Sequence, residues 1–248
     1  YEIRNCDWSS DVCSSDLMYL LGMSNHCPPH RFSQAECWSL IQRCHEFTGL
    51  ASASQDLLEQ ILLGDSGIEY RHFAVDDVPA LFGADAESLN RRFEREAPRL
   101  AGRALAAALD RAGLVADDLD ALYVCTCTGY LCPGLSSHVA EQVNAGDGVE
   151  LVDLAGQGCG AAIPLLRTAS HRLNADPGKK VACVAVEICS AAFYIDDDPG
   201  VLVSLCLFAD GASATIWTGD QHQSSTGPAV RCDGFQSLHW PRHRSRLR

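Results

Sequence analysis

Val149-Glu150-Leu151-Val152-Asp153-Leu154-Ala155-Gly156-Gln157-Gly158-Cys159-Gly160-Ala161-Ala162 is the stretch on which the reading of this chain turns. An apolar run of strand length meets a glycine-punctuated turn, and a helix-compatible segment follows over 161–173. That order sets Cys159 at or near a helix N-terminus. There, unpaired backbone N–H groups and the positive end of the macrodipole favour a thiolate over a thiol. Glycines on both sides permit a tight turn and close approach of a substrate carbonyl. Cys159 is therefore a candidate acyl-accepting nucleophile, weighed against the plainer reading of a small buried residue.

Working outward, the same alternation recurs. Ser33-Gln34-Ala35-Glu36 is a capping box, which predicts a helix over 34–45. Further helices are expected over 52–63, over 86–112 with a stop at Gly113, and over 134–143. Strands are expected over 19–23, 71–74, 120–126, 180–187 and 211–218, with another starting at Val230. Strands apolar throughout and interleaved with helices imply an α/β fold around a buried, largely parallel sheet.

Composition narrows the function classes. The chain has 248 residues, 47% hydrophobic and 21% charged, as expected for a globular protein with a sizeable core. Its net charge of −13 argues against a basic nucleic-acid footprint. No apolar run approaches the roughly 20 residues of a membrane span. Residues 1–17 resemble the in-frame translation of a sequencing adapter with its index tag, so Cys6, Trp8 and Cys13 enter no functional argument. The other cysteines sit in apolar segments such as Val181-Ala182-Cys183-Val184, as reduced thiols do, which points to a cytoplasmic compartment. Cys125-Thr126-Cys127 with Cys132 lacks the partners of a zinc site, so no metal is expected.

Four stretches in order carry a resemblance. They are 125–134 (Cys-Thr-Cys-Thr-Gly-Tyr-Leu-Cys-Pro-Gly), the nucleophile segment 153–162, Glu187-Ile188-Cys189-Ser190-Ala191-Ala192-Phe193, and Leu205-Cys206-Leu207-Phe208-Ala209-Asp210-Gly211-Ala212. Together they resemble the type III polyketide synthases, the chalcone and stilbene synthase family of the thiolase fold, over about 18–240. The resemblance implies a layered αβαβα fold, with an N-terminal thiolase-like domain over 18–228 and the start of a second over 229–248. It implies an acyltransferase that condenses malonyl-CoA onto an acyl-CoA starter with loss of carbon dioxide. CoA thioesters would be its substrates, no separate cofactor would be needed, and the protein would be a homodimer.

By the same resemblance, Cys159 is the nucleophile and Phe208 the aromatic between CoA tunnel and cavity. Cys127 and Thr128 shape the starter pocket, Cys189 lines the same cavity, and Cys132 lies on the loop that reaches the neighbouring subunit. Arg71 corresponds to a basic residue that pairs with CoA phosphates. Ala209 stands where the family has glycine, and a left-handed backbone there would be strained. The family's histidine and asparagine are expected in the second half, so the chain alone is expected to be inert. His239 and His243 receive no role, nor do the scattered histidines before them. Alternatives are an initiating ketoacyl-ACP synthase, which shares fold and nucleophile, and a non-catalytic interaction protein that kept the fold. Asp196-Asp197-Asp198 before Pro199-Gly200 reads as a turn rather than a cation site.

Overall fold

A computed structural model describes residues 17–75, 81–82, 84–223 and 230–236. The tail read over 1–17 lies outside them save Leu17, as do the far end of the strand expected from Val230 and the basic run after it. One six-stranded sheet forms the centre. Its strands are β1 (Met18–His26), β4 (Ala121–Thr126), β5 (Glu150–Ala155), β6 (Lys180–Ile188), β7 (Asp210–Thr218) and β8 (Arg231–Cys232), in the order β5-β4-β6-β7-β1-β8. A small antiparallel pair, β2 (His30–Ser33) with β3 (Tyr70–Phe73), stands apart from it.

The expectation of a largely parallel sheet needs correcting. β4 pairs in parallel with β5 and β6, but β6–β7, β7–β1 and β1–β8 are antiparallel. The reason lies in the helix between β6 and β7, α6 (Pro199–Leu207). It does not cross a sheet face. Its buried Leu202, Leu205 and Cys206 pack instead with α1 (Gln34–Ile41), α2 (Ser52–Leu63) and β3 in a separate apolar cluster. The chain therefore re-enters the sheet from the end at which it left.

Period-two alternation divides the strands cleanly. Leu122 and Val124 of β4, with Ala182, Val184 and Val186 of β6, face the long helix α3 (Ala86–Ala112) and α4 (Leu135–Val143). Ala121, Tyr123 and Cys125, with Val181 and Cys183, face Leu165, Ala169 and Leu173 of α5 (Ala162–Ala175). The described residues thus form an α/β/α sandwich. The odd-numbered residues of β4 and β6 lie on the side of the cysteine helix.

The capping box holds: Ser33 N–H donates to Glu36 at 2.7 Å and Glu36 N–H to Ser33 Oγ at 3.2 Å. The first helix ends at Ile41 rather than 45, giving way to turns and a short 3-10 segment, Glu46–Gly49. Beyond β4, the Asp153 carboxylate accepts from Ser136 N–H at 2.9 Å and from Ser136 Oγ, tying β5 to the first turn of α4. Gly134 sits against that carboxylate so closely that a Cβ would overlap it. Gly134→Ala is expected to destabilise the fold by about 1–3 kcal/mol, the range for forced overpacking, read as a lower urea midpoint at unchanged slope. An unchanged midpoint would show that this contact is slack.

Candidate active site

Gly156 and Gly158 take φ of 71° and 69°, the left-handed region in which a side chain is strained. Between β5 and α5 they produce a turn, with Gly158–Gly160 in a single 3-10 segment. Cys159 is carried out of the sheet by this turn and is exposed. It opens into a cavity of about 650 Å3. Cys127, Thr128, Cys189 and Phe208 line the same cavity. Parity explains the gathering. Cys125 pairs with Ala185 in the parallel register, so two residues on, Cys127 and Glu187 emerge together from the sheet's end on the α5 side.

Glu187, given no role from the sequence, organises this wall. It is half-buried, and it accepts from Cys127 N–H at 3.0 and 3.1 Å. It also accepts from Thr128 Oγ1 at 2.8 Å, Thr126 Oγ1 at 3.3 Å and the Cys127 thiol at 3.1 Å. The Thr128 hydroxyl in turn accepts from Ile188 N–H at 2.9 Å. The available signal was one acidic residue closing an otherwise apolar strand.

Thiols around Cys159 are held protonated. Desolvation first, then donation to Glu187 and its charge, push Cys127 up to about 12. Burial, then the charges of Asp210 and Glu187, push Cys189 up to about 12, and burial raises Cys125 to about 11. The turn bearing Cys189 is pinned from two sides. Arg92 Nη1 donates to Ser190 carbonyl oxygen at 2.6 Å. The buried Asp210 carboxylate accepts from Ser190 N–H at 2.8 Å, Ser190 Oγ at 2.6 Å and Ala74 N–H at 2.7 Å.

Two expected site residues lie elsewhere. Cys132 is exposed on the loop after β4, ahead of a cis bond to Pro133, and does not line the cavity. Arg71 is only 2% exposed, and its guanidinium donates to Gln34 Oε1 and to the Leu205 and Phe208 carbonyls. A group so enclosed is turned away from any CoA phosphate, and the role read for Arg71 is corrected accordingly. Asn144 is the only non-glycine with positive φ among the described residues, so Ala209 fits without left-handed backbone. Among the described residues no histidine lines the cavity; His72, for one, contacts the Pro28 carbonyl at 2.7 Å instead. Among the described residues, no group of three or more His, Cys, Asp or Glu is placed to hold a metal ion. No described helix is long and apolar enough to cross a membrane.

The family model for FAE1/type III polyketide synthase-like proteins matches residues 13–229. The chain belongs to this family. A 1,3,6,8-tetrahydroxynaphthalene synthase of Streptomyces peucetius subsp. caesius is 32% identical over 194 residues, covering 77% of this chain and 50% of that protein. A 3,5-dihydroxyphenylacetyl-CoA synthase of Amycolatopsis orientalis is 35% identical over 129 residues, covering 52% of this chain and 34% of that protein. The crystal structure of the Streptomyces coelicolor A3(2) tetrahydroxynaphthalene synthase superposes with a TM-score of 0.68 at 27% identity, covering 82% of this chain and 57% of that one. PKS-I of the brown alga Ectocarpus siliculosus superposes at 0.76 and 24% identity, covering 84% and 58%, a likeness of fold. This type III polyketide synthase-like chain spans about half the length of the curated relatives it matches. The family match does not favour the ketoacyl-ACP synthase alternative.

Proposed function

We propose that the whole protein is a type III polyketide synthase, an acyltransferase that condenses malonyl-CoA onto an acyl-CoA starter bound at Cys159. One observation carries the reading: four stretches distant in sequence converge on one cavity, with the exposed Cys159 thiol facing a wall of protonated thiols. The Cys159 thiolate attacks the starter's thioester carbonyl, the C–S bond to CoA breaks, and CoA leaves as its thiolate. Malonyl-CoA then loses carbon dioxide. The enolate so formed attacks the Cys159 thioester, forming a C–C bond and releasing the cysteine sulfur for reloading.

The cavity wall supplies two of the elements this chemistry needs. The nucleophile is accessible while its neighbours stay inert. The largely apolar lining suits a site that must keep water from the enolate. Donors for the enolate oxygen are assigned to a histidine and an asparagine outside the residues described. The relatives named for hydroxylated aromatic products support an aromatic product class here. In this reading the substrates are free CoA thioesters, no further cofactor takes part, and Cys132 belongs to a homodimer contact.

The test is to incubate the whole protein with malonyl-CoA, with and without acyl-CoA starters, and to analyse products by mass spectrometry. Pyrone, resorcinol or naphthalene polyols are expected without any carrier protein. Condensation only when an acyl carrier protein is supplied would overturn the reading.

A further inference from the structure

The end of α6 is finished in an unusual way. A helix leaves its last carbonyls without intrahelical donors, and these ones are buried: Leu205 and Cys206 are 2% and 0% exposed. Phe208 N–H closes onto Ser204. The next two carbonyls are met by side chains from another part of the chain. Arg71 Nη1 donates to the Leu205 carbonyl at 2.6 Å, and Gln34 Nε2 to the Cys206 carbonyl at 3.0 Å. The same Arg71 Nη1 donates onward to the Phe208 carbonyl at 3.0 Å. Gln34 Oε1 accepts from Arg71 Nε at 2.9 Å, which fixes the guanidinium plane. The guanidinium also lies 5.2 Å from the centre of the Phe73 ring.

This clamp does more than satisfy a helix end. A cation at a helix C-terminus is favourable, but one hydrogen bond would have provided it. Here a buried charge is spent on three acceptors, an arrangement that leaves the planar fork little freedom. Its reach ends on the backbone of Phe208, a residue 46% exposed that lines the same cavity as Cys159. Ala209 and the pinned Asp210 continue directly into β7, so the Phe208 backbone is held on both sides.

We propose that Arg71 and Gln34 are positioning residues that set the place of Phe208, and through it the width of the passage to Cys159. This rests on the reading of the cavity as the acyl-binding site. Size selection at the passage is then decided by residues that never touch substrate.

The test labels thiols in the whole protein. Alkylation of Cys159 by iodoacetamide and by a bulky fluorescein maleimide is followed by peptide mapping in Arg71→Lys, Gln34→Met and Phe208→Ala proteins and the two double variants. In Arg71→Lys and Gln34→Met, the bulky-to-small rate ratio is expected to shift about five-fold, the worth of roughly one lost hydrogen bond. In the Phe208→Ala background that shift is expected to vanish, since the clamp acts only through that ring. Gln34→Met spares the buried charge and carries the test alone if Arg71→Lys does not fold. A ratio unchanged in folded single variants, or a shift undiminished beside Phe208→Ala, overturns the proposal. Labelling needs no turnover. A coupled shift in a protein that forms no product overturns the proposed function and leaves the clamp standing; product formation with uncoupled shifts does the reverse.

Discussion

Cys159→Ala in the whole protein is expected to lower product formation from CoA thioesters by about 1,000-fold or more, the scale on which removing a covalent nucleophile acts. Folding should be spared. Cys159 is exposed, and the turn that carries it is shaped by Gly156 and Gly158, which the substitution leaves alone. Intact-mass analysis after incubation with a starter should show the acyl adduct on the unaltered protein and none on the variant. The neighbouring thiols do not substitute for it. Burial and nearby carboxylate charge push Cys127 and Cys189 up to about 12, which keeps both protonated near pH 8. An acyl group mapped to either of them, or turnover that survives in Cys159→Ala, would displace Cys159 from its role.

The second large effect concerns Asp210. Its carboxylate is 4% exposed and accepts from two backbone N–H groups and one hydroxyl, on behalf of the Ser190 turn and the end of β3. Asp210→Ala leaves those buried donors without an acceptor, a loss of at least about 3 kcal/mol when about 1–3 kcal/mol is taken per orphaned group. Such a loss is a large part of the stability of most domains, so thermal unfolding should shift downward sharply. Asp210→Asn, which keeps one acceptor oxygen, should fall between.

Desolvation raises the Asp210 carboxyl above its ordinary value of 3.8, against the lowering pull of its hydrogen bonds and Arg92. The folded protein thus binds this proton more tightly than the unfolded chain. The resulting stability is complete below 3.8 and is lost as pH rises through the higher folded value. Urea midpoints of unaltered protein and Asp210→Asn, compared across that rise, should show this slope in the former and not the latter. Equal slopes would mean that Asp210 is ionised throughout.

How legible the site was depended on the range of the interactions that built it. The sequence carried the Ser33 box, the Gly156–Gly158 turn and the 27-residue α3 because each is a matter of neighbours along the chain. α6 was also legible in principle. Asp198 caps it, accepting from Gly200 N–H at 2.7 Å, with Pro199 in its first turn. The acidic run before it reads equally well as a turn, which hides the cap.

Cys159 is legible from its own glycine turn, whereas Cys127, Thr128, Cys189 and Phe208 follow only from the family resemblance. Strand parity together with the register of β4 on β6 brings Cys127 beside Glu187 on the α5 side. By itself, the sequence determined the local structure, the alternation of strand and helix, and a cysteine set on a glycine turn, since backbone sterics and capping act within a few residues. Only the tertiary structure decided that the sheet is mixed, that Glu187 gathers the wall, and that Arg71 is buried behind Phe208. Those outcomes depend on which carbonyls and thiols are left without water when distant segments close on each other, and no local pattern encodes that.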